Sequence, residues 1–167
     1  QPLDNWVVSN VNNMSYMFFD AKNFDQPLNN WDVSDVEYMD GLFGSFDFDV
    51  TFNQPLDNWD VSNVTSMSFM FNGANAFDQD ISNWNTENVT NMDSMFLDAG
   101  NFNQDISSWC VEQIPNEPTD FATNSPLQAS FFPDWGATCT FSIAENSLDN
   151  FKVYPNPVEG QLNLSWS

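Results

Sequence analysis

The pattern Phe-x-Gln-x-x-x-x-Trp occurs at Phe24–Trp31, Phe52–Trp59, Phe77–Trp84 and Phe102–Trp109. With Trp6, the tryptophans fall 25, 28, 25 and 25 residues apart. A fixed period of this length is the mark of a stacked array, in which each unit buries its apolar face only against its neighbours. Such arrays mostly offer an extended surface for binding and seldom carry a reactive centre. The feature that most constrains the fold therefore also weights the function toward recognition.

Overlaying the copies sharpens the unit. Around the tryptophan, Asn30-Trp31-Asp32-Val33-Ser34 and Asn58-Trp59-Asp60-Val61-Ser62 alternate apolar and polar residues. Period two predicts a short strand with one face buried. An Asn or Asp follows at the same place in each copy (Asn10, Asp35, Asn63 and Asn88), a residue type that caps helix N-termini. Thereafter the apolar spacing becomes three and four: Val64, Met67, Met70, Phe71, Ala74, then Val89, Met92, Met95, Phe96, Ala99. That spacing predicts one stripe of a helix of two to three turns, with Gly73 and Gly100 near two of the helix ends.

The expected fold is therefore α/β: a leucine-rich-repeat-like solenoid with one short parallel strand and one short helix in each repeat of about 25 residues, closed by a C-terminal cap. The repeats span 1–109, the cap 110–140, a linker 141–149 and a final segment 150–167. The second repeat is irregular: Phe43 and Phe52 lie nine residues apart where Phe71 and Phe77 lie six apart, so Gly44–Thr51 should bulge as a loop. The methionines, at helical spacing, read as core packing rather than as metal or redox ligands. In the cap, Cys110 and Cys139 bracket an aperiodic Pro-rich segment that includes Trp135. They read as one disulfide closing a loop of about 30 residues; two free thiols in a reduced compartment is the other reading.

Composition bears on function chiefly by exclusion. The chain has 24 acidic residues against two lysines, Lys22 and Lys152, with no arginine and a formal net charge of −22. Such a surface repels phosphate backbones and anionic headgroups, which argues against nucleic-acid binding and membrane adsorption. Cations, neutral glycans and basic protein patches remain as partners. The absence of histidine removes Ser-His and Cys-His schemes and His-based zinc sites. No apolar run approaches the roughly 20 residues needed to span a bilayer. The first residues enter mid-repeat, so the natural chain is expected to begin earlier.

At this point the residues are recognisable. Trp59-Asp-Val-Ser-Asn-Val-Thr-Ser-Met-Ser-Phe-Met-Phe71 and Phe77-Asp-Gln-Asp-Ile-Ser-Asn-Trp84 closely resemble the bacterial surface protein 26-residue repeat of BspA-like leucine-rich-repeat proteins. The likeness covers about residues 1–140 and implies a secreted or surface-anchored repeat protein associated with adhesion. Phe151-Lys-Val-Tyr-Pro-Asn-Pro-Val158 with Gly160-Gln-Leu-Asn-Leu164 is similar to the opening of the C-terminal sorting domain of type IX secretion cargo in Bacteroidetes. That resemblance implies export across the outer membrane.

Candidate site residues follow from stacking the expected strands. Their solvent side would carry ladders of Asn30, Asn58 and Asn83, of Asp32, Asp60 and Asn85, and of Glu87 and Glu112, with Asp80 and Asp105 stacking in the return segment. Asn30, Asp32, Asn58, Asp60, Asn83 and Asn85 form the expected ligand face, for a glycan or a protein surface. The pairs Asp32/Asp60, Glu87/Glu112 and Asp80/Asp105 should each raise a pKa or hold a cation, calcium being the ion that suits carboxylates and amides. Solvated acids and amide ladders that need no ion are the alternative. An open ladder has no cleft to separate two carboxylate pKa values, so no enzyme is expected. The expectation is a non-catalytic adhesion module; the rival is a structural spacer that self-associates through its ends.

Overall fold

Apolar residues three and four apart pack inward here without making a helix. The computed structural model describes residues 3, 5–47, 49–139, 152–155 and 162–165, and no α-helix occurs among them. Val64, Met67, Met70, Phe71 and Ala74 are all fully buried, as are Val89, Met92, Met95, Phe96 and Ala99. The backbone beneath them runs as successive tight turns: Met70 N–H donates to Met67 O at 3.2 Å, Asn72 to Phe69 at 3.1 Å and Ala74 to Phe71 at 3.0 Å. The intervening amides point along the stack. Met67, Phe69, Phe71 and Gly73 donate to the carbonyls of Asn91, Asp93, Met95 and Leu97 in the next coil, at 2.8–2.9 Å. An α-helix would consume every one of these donors internally. The alternation is possible because the stretch includes left-handed residues, Phe69 at φ 56° and Gly73 at φ 64°. Their counterparts Tyr16 and Asp20, and Ser94 and Asp98, are left-handed too.

The expected α/β solenoid is thus corrected: among the described residues of the repeats its helices are absent, and so are its strands. Beside each tryptophan the chain reverses, with Trp59 N–H bonded to Leu56 O at 3.1 Å and Val64 N–H to Val61 O at 2.9 Å. Too little extended chain is left between these turns for a ladder. Parallel pairing falls further along, as isolated bridges joining Asn13, Tyr38, Ser66 and Asn91. The copies therefore stack as coils of turns and irregular segments.

Side chains join the coils as much as backbone does. Trp59, Trp84 and Trp109 donate their indole N–H to Leu28, Leu56 and Ile81 carbonyls of the preceding coil, at 2.9, 3.0 and 3.0 Å. A second column links Asp25, Asn53, Asp78 and Asn103, the side-chain oxygens of the first three each accepting the backbone N–H of the next at 3.0–3.1 Å. The core is a double file of phenylalanines. Within coils, Phe43–Phe52, Phe71–Phe77 and Phe96–Phe102 stack at 4.0 Å between centroids. Between coils, Phe43–Phe71 and Phe71–Phe96 stack at 5.8 and 5.6 Å. The file ends at Phe121, which meets Phe96 edge-on at 90° and is itself met edge-on by Phe132 and Trp135.

Cys110 and Cys139 form a disulfide, their Cα atoms 5.6 Å apart. In the second repeat, the segment from Gly44 to Thr51 is tied to the first coil through Lys22. Its carbonyl accepts from Thr51 N–H at 3.0 Å and Thr51 Oγ1 at 2.9 Å, and its ammonium reaches Asp47 at 2.8 Å and Asp49 at 3.0 Å. Near the C-terminus, β1 (Lys152–Pro155) pairs antiparallel with β2 (Leu162–Ser165), Val153 facing Leu164 and Tyr154 facing Asn163. The expected linker 141–149 lies outside the described residues, as do Asn156 and Pro157 of the sorting-domain resemblance.

Candidate functional site

Two of the four residues that the sequence suggests as helix caps have another task, since there is no helix to cap. Asn63 donates its side-chain N–H to Ser34 O at 2.7 Å, and Asn88 donates to Ser62 O at 2.8 Å, each reaching back one coil. Two residues on, Thr65 Oγ1 donates to Glu37 O and Thr90 Oγ1 to Thr65 O, both at 3.1 Å. Asn63, Thr65 and Asn88 line an open groove of about 630 Å³ together with Asn10, Asn12, Asp35 and Glu37. The groove crosses four coils and presents equivalent residues on each. The Asn63 and Asn88 amides each spend an N–H on the backbone of the preceding coil. With the Asp35 and Glu37 carboxylates, the groove is richer in acceptors than in donors.

The ligand face expected from the sequence is exposed throughout: Asn30, Asp32, Asn58, Asp60, Asn83 and Asn85 all lie at the surface. None of them lines the groove. Several are engaged locally. Asp32 Oδ1 accepts from Ser34 Oγ at 2.7 Å, Asp60 Oδ1 from Ser62 N–H at 3.0 Å and Asn85 Oδ1 from Glu87 N–H at 3.2 Å, while Asn83 donates to Asp57 O at 2.7 Å. Asp80 and Asp105 repeat the local motif with Ser82 and Ser107, at 2.9 and 3.0 Å.

At Asp32, Asp80 and Asp105 this motif works against the raised pKa expected of the paired acids. Asp32, Asp80 and Asp105 are held below the ordinary carboxylate value, by the hydroxyl and then the backbone N–H of the serine two residues on. The nearest influence on each carboxylate is thus a donor of its own turn rather than the acid one coil away. Glu112 accepts from Cys139 N–H at 3.5 Å, beside the disulfide. Among the described residues no group of three or more Asp, Glu or Cys side chains converges as a metal site. Calcium at Asp32, Asp60, Asp80, Asp105, Glu87 or Glu112 would therefore have at most two carboxylates to hold it.

The groove was missed because its residues carried a local explanation as caps. The available signal was their recurrence, Asn or Asp at every copy with Glu or Thr two residues later at Glu37, Thr65 and Thr90.

Among the described residues no helix is long and apolar enough to cross a membrane. No curated protein and no solved structure matches the chain. A family model matches residues 1–50 and 44–135, covering the repeats and most of the cap. That match supports the likeness to BspA-like surface repeat proteins and leaves the sorting-domain resemblance without support. By the extent of the match, the chain belongs to the family described as Mycoplasma protein of unknown function, DUF285.

Proposed function

We propose that this chain is a non-catalytic recognition module of a secreted or surface-exposed repeat protein, binding a glycan or an extended protein segment along the polar groove. The observation that carries the proposal is the groove itself, in which Asp35, Asn63 and Asn88 recur coil after coil. A ligand with its own repeat could bond to successive coils in the same way. An acceptor-rich lining suits hydroxyl and N–H donors, which sugars and backbones supply. The family match supports the surface assignment; export through a type IX route rests on the C-terminal sequence alone.

The test is binding of the purified protein to a glycan and matrix-protein array, with calcium and with chelator. A hit lost in Asp35→Ala/Glu37→Ala and kept in Asp60→Ala/Asn85→Ala places recognition in the groove. The reverse pattern returns it to the face around the tryptophans. Loss of the hit with chelator would make binding calcium-dependent. Silence on the array, together with a mass that grows with concentration, would refute the proposal in favour of a self-associating spacer. Trp6 at 53% and Val7 at 84% exposure on the first coil are the surface such association would use.

A further inference from the structure

Exposed aromatic surface is concentrated where the first coil meets the inserted loop. Tyr16 is 54% exposed and Phe46 64%. Phe19 lies between them, edge-on to Tyr16 at 5.4 Å and to Phe46 at 5.0 Å, so the three rings make one continuous shelf. Two glycines of the second coil make room for it. A Cβ on Gly41 would fall 2.5 Å from a Tyr16 ring carbon; one on Gly44 would fall 2.7 Å from Phe69 O, the tighter constraint there, and 3.2 Å from a Phe19 ring carbon. In the next two coils the corresponding residues are Phe69 and Asn72, then Ser94 and Leu97, so no later coil could seat rings in this way.

The shelf is held from below and edged with charge. Asp20 follows Phe19 in the chain, Asp47 and Asp49 follow Phe46, and all three are exposed. Lys22 bridges Asp47 and Asp49, fixing the loop while neutralising only one of the three charges. Asp47 N–H is further tied to Ser45 Oγ at 3.0 Å. Exposed rings beside acidic side chains, on a chain of net charge −22, complement a partner that is both planar and positive. Guanidinium groups meet both needs, stacking on rings and forking onto carboxylates. We propose that this shelf, separate from the groove, docks an arginine-bearing segment of another protein, with Tyr16 and Phe46 as stacking platforms and Asp20, Asp47 and Asp49 as its counter-charges.

The probe is a fluorescently labelled, acetylated and amidated Gly-Arg repeat peptide, titrated against the 167-residue protein and followed by anisotropy at physiological salt. Tyr16→Ala/Phe46→Ala should weaken binding roughly tenfold, as the loss of two ring–cation contacts. Phe46→Leu, which keeps apolar bulk but no ring, should also weaken it. The remote charge variant Glu117→Gln/Asp134→Asn should stay close to wild type. Both ring positions are largely exposed, and a thermal melt checks that the variants fold. Binding that ignores the ring substitutions but falls with the remote charges would overturn the proposal, since that is diffuse attraction to an acidic protein. Failure to bind the peptide, or Phe46→Leu binding as well as wild type, would overturn it too. None of these outcomes touches the groove, which Asp35→Ala/Glu37→Ala tests separately.

Discussion

Phe71→Ala is the perturbation that most directly probes the stacked core. The ring is fully buried and meets Phe77 at 4.0 Å, Phe96 at 5.6 Å, Phe43 at 5.8 Å and Trp84 at 6.4 Å. Removing it loses the transfer free energy of a phenyl group and opens a cavity between coils. The site cannot collapse easily, because Phe71 N–H is bonded to Met95 O at 2.9 Å and the coils on either side are held by their own bonds. The expected cost is about 4 kcal/mol, within the range for Phe→Ala in cores. Phe24 supplies the control. It belongs to the same file but is half-buried, with ring partners at Phe18, 4.1 Å, and Phe52, 5.9 Å, so Phe24→Ala should cost roughly half as much. Denaturant unfolding followed by tryptophan fluorescence gives both values, provided the m-values agree. A cycle with Phe77→Ala should show coupling of about 0.5–1.5 kcal/mol. A cost below about 1 kcal/mol for Phe71→Ala, or equal costs at the two positions, would refute the view that the phenylalanine files carry the fold.

Two further outcomes are expected. Cys110→Ser/Cys139→Ser should lower stability by about 3–4 kcal/mol, as expected for opening a loop of this length, read from denaturant unfolding as a lower midpoint with a steeper slope, because the freed unfolded chain exposes more surface. The three lowered aspartates should add stability that is fully present above the ordinary value of 3.8 and lost as pH falls through their lower folded values. In an NMR titration, Ser107→Ala should move the Asp105 midpoint upward toward 3.8; an unmoved midpoint would show that the hydroxyl is not the cause.

Much of this protein was legible in its sequence because repetition exposes what each position must do. The tryptophan period shows that copies stack, and buriedness could be read residue by residue: Trp59, Val61, Val64, Met67, Met70 and Phe71 all lie inside. The inserted loop was legible from the altered Phe43–Phe52 spacing. What the local pattern could not distinguish was a helix from a run of tight turns, since both place residues three and four apart on one side. The choice depends on where the amides of Met67, Phe69, Phe71 and Gly73 go, and their acceptors lie in the next coil, about 24 residues away in sequence.

The candidate site turned on the same point. Once the amides run between coils, Asn63 and Asn88 have no helix to cap; they bond backward along the stack and line a groove. The repeat, its buried residues and its acidity are readable without coordinates, because composition and period decide which side chains must leave water. The path of the backbone and the faces it exposes are not, because each hydrogen-bond donor could be satisfied either within its own coil or by a neighbour already in place.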